Sequence, residues 1–115
     1  EESAPEYIVE SENLGIFNHM MIGSNSTPLG REVLIAGIHP ADKSMRPQVI
    51  KKSQNQDYWE IVNSFKQITG VGALINTSFN LHGEPIVGSP SDAISTFERS
   101  DLDVVVMENR ALLRV

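Results

Sequence analysis

The sequence predicts an α/β (α+β) protein in which a mixed, twisted β-sheet carries two main helices. Three observations lead there. Tyr58, Ile61, Val62, Phe65 and Ile68 recur at spacings of three and four, the period of an amphipathic helix with one buried face. Ser89-Pro90-Ser91-Asp92 is a second helix start, with a capping serine, proline in the first turn and an acid near the positive end of the helix dipole. Short apolar runs bounded by turn residues lie on either side of these helices, as strands do. The order of strands, helix, strand, helix and hairpin excludes a helical bundle or an all-β sandwich.

Each element follows in turn. Residues 1–13 are acidic, contain Pro5 and show no apolar period, so they are expected to form a flexible N-terminal segment. Residues 14–115 are expected to form one domain. Ile16 to Ile22 and Val33 to Ile38 read as paired strands around the turn-rich Gly23-Ser24-Asn25-Ser26-Thr27-Pro28. His39-Pro40-Ala41-Asp42 reads as a turn, with Asp42 bonding its local backbone. Met45 to Ile50 then forms a third strand, placed at an edge or bulge by Pro47. The helix from Gln56 to Thr69 is expected to dock firmly on the sheet and to stop at Gly70. Ala73-Leu74-Ile75 reads as a buried central strand. Ala93, Ile94 and Phe97 supply the buried face of the second helix, and Leu102 to Met107 with Ala111 to Val115 form a hairpin around Glu108-Asn109.

Composition removes several function classes. The 115 residues include no cysteine, which excludes disulfides, thiolate metal sites and cysteine nucleophiles. No apolar run approaches the ~18 residues of a membrane span, and no secretory signal opens the chain. A cytoplasmic setting with no membrane partner is therefore expected. The start at Glu1-Glu2-Ser3-Ala4-Pro5, without methionine, leads us to expect a piece of a longer protein. The net charge of −6 is concentrated in Glu1, Glu2, Glu6, Glu10 and Glu12. No basic face suited to nucleic acid is present, although Lys43, Arg46, Lys51 and Lys52 make a local stretch able to hold a small anion.

The chemistry concentrates between Ala73 and Asp92. Asn76, Thr77, Ser78 and Asn80 offer short uncharged donors and acceptors together, a set suited to a phosphate, a carbonyl or a sugar hydroxyl rather than a metal. Gly83 and Gly88 relieve backbone crowding beside them. Read for chemistry alone, an ordinary polar loop with asparagine turns is the favoured reading.

The ordered motifs Asn76-Thr77-Ser78-Phe79-Asn80, Gly83-Glu84-Pro85-Ile86-Val87 and Ser89-Pro90-Ser91-Asp92-Ala93 resemble the C-terminal region of the nodulation-protein and antibiotic O-carbamoyltransferase family. Upstream, Ser44-Met45-Arg46-Pro47-Gln48-Val49 resembles that family's Arg-x-Gln segment, with His39 at the expected distance before it. The resemblance runs from about His19 to the C-terminus.

It implies a YrdC-like fold, here a partial domain. It also implies a part in ATP-dependent transfer of a carbamoyl group from carbamoyl phosphate, through carbamoyl-adenylate, to a hydroxyl of a small natural product. ATP and carbamoyl phosphate enter as substrates. A preceding actin-like domain of the same protein would be the partner and would hold the metal. The three histidines lack metal-site spacing, so no metal is expected in this chain.

On this resemblance Arg46 is the candidate catalytic residue, a guanidinium able to hold a phosphate bidentately. Ser78 and Asn80 would bind phosphate or adenylate oxygens. Thr77 and Asn76 would brace or bind, with Gly83 and Ser44 completing the set. His39 is either an anion donor or a turn residue.

The family's earlier glycine- and arginine-containing stretch and its Arg-Pro-Phe-Ala-Pro-type motif are not in these 115 residues. The isolated chain is therefore expected to be inactive. The competing reading is a non-catalytic nucleotide- or anion-binding docking module of the same fold. The acceptor and the oligomeric state are left open.

Overall fold

The computed structural model describes residues 1–115, apart from the side chain of Ser11. The chain divides into two compact units, Glu1–Ile75 and Asn76–Val115. Helices alternate with small antiparallel strand pairs, which places the chain in the α+β class. The strands form two separate two-stranded sheets, one in each unit, in place of the expected single mixed sheet.

In the first unit, α1 (Ala4–Tyr7) is followed by a 3₁₀ stretch over Ser11–Phe17, strand β1 (Ser24–Asn25), helix α2 (Pro28–Val33), a short 3₁₀ turn and strand β2 (Ser44–Met45). β1 and β2 pair antiparallel, Ser24 opposite Met45 and Asn25 opposite Ser44. The core is small: Ile8, Phe17 and Val49 are buried together, with Ala4, Leu14 and Met45 against them. Two of the buried residues, Tyr7 and Ile8, come from the acidic segment 1–13, which thus carries a helical turn and part of the core. Polar ties hold the segment as well. The Glu10 carboxylate accepts from the Ser24 hydroxyl, from Asn25 N at 2.9 Å and from Asn25 Nδ2 at 2.8 Å.

Two apolar runs expected as strands are not strands. The first, Ile16 to Ile22, leaves a 3₁₀ stretch and continues as turn. The second, from Val33 to Ile38, belongs to the end of α2 and the following 3₁₀ turn. The physical reason is local. The Thr27 hydroxyl accepts from Gly30 N at 3.0 Å, and Pro28 supplies a pre-set φ in the first turn, so Thr27-Pro28 starts a helix where a strand turn was expected. Met45 likewise ends its strand at once, and Pro47 cannot donate to a ladder.

Helix α3 (Gln56–Thr69) has the expected bounds. Asn55 caps it, accepting from Tyr58 N at 3.0 Å, and Gly70 at φ +80 stops it while its N–H returns to Lys66 O at 2.8 Å. Its expected firm burial is not found. No residue of α3 is buried, and Ile61 and Ile68 are 58% and 85% exposed. An amphipathic period specifies a helix, but the strand pair of this unit is only two residues long on each side and gives the stripe no sheet to cover. Polar tethers hold α3 instead: Lys66 Nζ donates to Ser3 Oγ at 2.6 Å, and Gly72 N, just beyond the helix, donates to Tyr7 Oη at 3.0 Å. Ala73-Leu74-Ile75 forms no strand and has no ladder partner, and Ile75 is 59% exposed, so the buried central strand is not there.

The second unit matches expectation more closely. Ser89 caps α4 (Pro90–Glu98), accepting from Asp92 N at 3.2 Å. Strands β3 (Val104–Met107) and β4 (Arg110–Leu113) form the hairpin, with Met107 opposite Arg110 around Glu108-Asn109. Ala93, Phe97 and Val105 are buried together, while Ile94, expected in that face, lies 39% exposed. Arg114 fastens the hairpin to α4 by donating to Phe97 O at 2.5 Å and Ser100 O at 2.6 Å, with its guanidinium 4.9 Å from the Phe97 ring centre. Among the described residues no helix is long and apolar enough to cross a membrane.

Candidate functional site

The loop opening the second unit is built from its ends inward. Phe79 and Val87 both pack against the Ala93–Phe97–Val105 cluster, and Val87 N donates to Phe79 O at 2.9 Å, closing the base of the loop. At its tip, Glu84 N donates to Leu81 O at 3.0 Å and Gly83 sits at φ +83, which the third position of a type II turn requires. Asn80 fills the interior. Its Nδ2 donates to Leu81 O at 3.1 Å and to Glu84 O at 3.0 Å, while its Oδ1 accepts from Ser78 Oγ at 2.5 Å. Both Asn80 N–H groups are therefore spent inside the loop and are not offered to an anion. Asn76, Thr77 and Ser78 are exposed on the approach to the turn. They lie on chain without regular secondary structure, not at the end of a buried strand.

Glu84 anchors the turn from outside. Its carboxylate takes a two-toothed contact from Arg99 at the end of α4, with Nη1 at 2.5 Å and Nη2 at 2.8 Å. The Arg99 hydrogen bonds hold the Glu84 carboxyl below its ordinary range, and Glu84 in turn raises Arg99. Glu84 belongs to the Gly83-Glu84-Pro85 motif, whereas Arg99 lies outside every motif that the sequence singles out. The available signal was a cation at the C-cap of a helix that begins beside the motif.

The first unit holds the other expected residues. Asp42 Oδ1 is the hub of a compact turn. It accepts from Ser44 N at 2.9 Å and from Ser44 Oγ at 2.7 Å, and it lies 3.1 Å from His39 Nδ1. His39 N donates to Ser44 O at 2.8 Å, closing the same turn. The Ser44 N–H is the main reason the Asp42 carboxyl is held below its usual range, ahead of the Ser44 hydroxyl and His39. The His39 ring and the Ser44 hydroxyl are thus both engaged with Asp42. Arg46 follows, exposed and outside any strand or helix, and no ion pair or hydrogen bond among the described residues engages its side chain.

A groove of about 220 Å³ lies elsewhere in this unit, lined by Asn18, His19, Gln48, Lys51, Asn55 and Tyr58 among others. None of the expected site residues lines it. Among the described residues no group of three or more histidine, aspartate or glutamate side chains is arranged to hold a metal.

Residues 1–114 match the family model described as the carbamoyltransferase C-terminus. The chain belongs to that family. The match includes residues 1–13, in keeping with Tyr7 and Ile8 forming part of the core. Among relatives of this carbamoyltransferase C-terminal chain, the nodulation protein NolNO of Sinorhizobium fredii is 45% identical over 74 residues, covering 64% of this chain and 11% of that protein. Nodulation protein NolO of Bradyrhizobium diazoefficiens is 43% identical over 74 residues, 64% of this chain and 14% of that one. An uncharacterised protein of Methanocaldococcus jannaschii is 40% identical over 81 residues, 70% of this chain and 16% of its own length. The matched region thus spans between 11% and 16% of these relatives.

Proposed function

We propose that this carbamoyltransferase C-terminal chain contributes to binding the carbamoyl donor in an ATP-dependent transfer to a hydroxyl of a small natural product. Membership of the family over residues 1–114 is the observation that carries the reading. In the proposed sequence, water hydrolyses carbamoyl phosphate to carbamate and inorganic phosphate. A carbamate oxygen attacks the α-phosphorus of ATP, pyrophosphate leaves, and the acceptor hydroxyl then attacks the carbamoyl carbon with AMP departing. The proposed setting is the cytoplasm. A preceding actin-like domain is proposed as the partner that completes acceptor and metal binding.

Within this reading the roles divide by charge. Arg46 is the electrostatic element, because a guanidinium that no ion pair or hydrogen bond among the described residues engages can form two parallel bonds to a phosphate and stabilise charge as the phosphoryl oxygen departs. The loop from Asn76 to Gly83 is the orienting element. Its side chains are uncharged, so it positions the donor and cannot neutralise it. Support for that role comes from its rigidity: the loop is tied at its base by Phe79 and Val87, inside by Asn80 and outside by Glu84. Ser44 and His39 hold the turn that delivers Arg46.

The test uses the full-length protein and follows pyrophosphate released from ATP in the presence of carbamoyl phosphate. Replacing Arg46 by Gln removes charge-assisted hydrogen bonds worth ~1.5–3 kcal/mol, so the carbamoyl-phosphate-dependent kcat/KM should fall by roughly 10- to 150-fold. Equal rates for wild type and R46Q would refute the role of Arg46. Binding of carbamoyl phosphate or ATP without turnover would favour a non-catalytic anion- or nucleotide-binding module.

A further inference from the structure

Asn80 fixes the direction of a hydrogen bond. Its amide lies against two backbone carbonyls, Leu81 O at 3.1 Å and Glu84 O at 3.0 Å. Carbonyl oxygens only accept, so the nitrogen of the amide faces them and the oxygen faces the other way. That oxygen lies 2.5 Å from Ser78 Oγ. An amide oxygen carries no hydrogen, so the hydrogen between the two belongs to Ser78 and points at Asn80. Ser78 is exposed, and its oxygen therefore offers lone pairs, not a hydrogen, to a molecule docking on the loop.

This polarity selects among the groups of a carbamoyl donor. Phosphate oxygens and the carbamoyl oxygen are acceptors, and against a committed serine they would set lone pair against lone pair. The amino group is the one part of carbamoyl phosphate that donates. We infer that Ser78 Oγ accepts a hydrogen bond from the donor's amino group, and that Ser78 with Asn80 thereby distinguishes a carbamoyl from an acetyl group. The inference rests on the donor-site reading above, and it moves Ser78 from the phosphate side of the donor to its amino side. Acetyl phosphate has nearly the same shape and charge but carries a methyl group there. Asn80 does not touch the donor in this scheme. It is a positioning residue, and the Glu84–Arg99 contact holds the turn whose carbonyls orient it.

The experiment measures, in the full-length protein, KM for carbamoyl phosphate in pyrophosphate release and Ki for acetyl phosphate as its competitor. One hydrogen bond of ordinary strength makes acetyl phosphate the weaker ligand by about five- to ten-fold in the wild type. In Ser78→Ala that ratio should collapse to within about two-fold, since neither donor then has a partner. Asn80→Asp keeps an oxygen to receive the Ser78 hydrogen but loses both N–H donors, so the two constants should rise together and their ratio should survive. A purely structural role for Ser78 would change both constants and leave the ratio. If Ser78→Ala turns over too slowly, calorimetric dissociation constants for the two phosphates supply the same ratio.

A ratio near one in the wild type, or an unchanged ratio in Ser78→Ala, overturns the inference while the donor-site reading stands. Wild-type protein without carbamoyl-phosphate-dependent turnover or binding overturns both.

Discussion

Replacing Gly30 by Ala tests the close approach that ties the N-terminal segment into the first unit. Gly30 is buried in α2, and a Cβ built on it would lie 2.5 Å from Tyr7 O and 3.2 Å from Tyr7 C and Cα. The obstacle is backbone, so no side chain can swing aside. Reaching even 3.0 Å requires the two segments to part by about half an ångström. That movement strains the bonds spanning the same contact, Thr27 N to Tyr7 O at 2.9 Å and Thr27 Oγ1 to Glu6 O at 2.5 Å. Overpacking of this kind costs ~1–3 kcal/mol. A weakened hydrogen bond adds ~1 kcal/mol, and the better helix propensity of alanine returns about the same amount. The net expectation is a loss of ~1–3 kcal/mol. Urea unfolding of the 115-residue chain, followed by fluorescence of its single tryptophan Trp59, measures it. Gly37→Ala is the control, because its Cβ would meet nothing nearer than Ile75 Cγ1 at 3.9 Å. A Gly30→Ala chain as stable as wild type, or more stable, would refute the reasoning.

Two further outcomes concern the second unit. Ser89→Ala removes the cap of α4 and should cost ~1 kcal/mol, whereas Ser89→Gly should cost only a few tenths; amide exchange in the first turn of α4 reads both, and equal protection in all three chains would count against the cap. The Glu84 carboxyl is depressed by Arg99, so its folded pKa lies below its unfolded value. The contact therefore contributes fully above the ordinary carboxylate range and is lost as pH falls through the depressed value. Carboxyl carbon shifts of Glu84 followed by NMR on acidification should titrate below the ordinary range in wild type and return toward it in Arg99→Gln. A Glu84 midpoint unmoved by that substitution would remove the ion pair as its cause.

Local signals proved sufficient where one short stretch of chain contains all the partners. Asn55 and Gly70 bound α3, Ser89 and Pro90 start α4, and Glu108-Asn109 turns the hairpin, because each cap or turn bonds to residues within a few positions of itself. The composition of the motif loop was legible for the same reason, since Ser78, Asn80, Leu81 and Glu84 bond one another. Thr27-Pro28 carried the same helix-start signature as Ser89-Pro90 but stood in a turn-rich cluster, and the short apolar run after it reads as a strand by its length and flanking turn alone.

What the sequence by itself determined, then, is the family, the α+β class, the bounds of α3, the start of α4 and the residues from which the loop is built. Tertiary structure alone decided which apolar stripes are buried, that the strands form two small pairs, that the acidic segment enters the core, and that Glu84 meets Arg99. Periodicity states which side of an element is apolar, but burial depends on whether another surface lies opposite. A hydrogen bond between residues fifteen apart, such as Glu84 with Arg99, depends on how the chain between them turns. The direction of the Ser78 hydroxyl is decided in the same way, by carbonyls that Asn80 reaches only once the turn has closed.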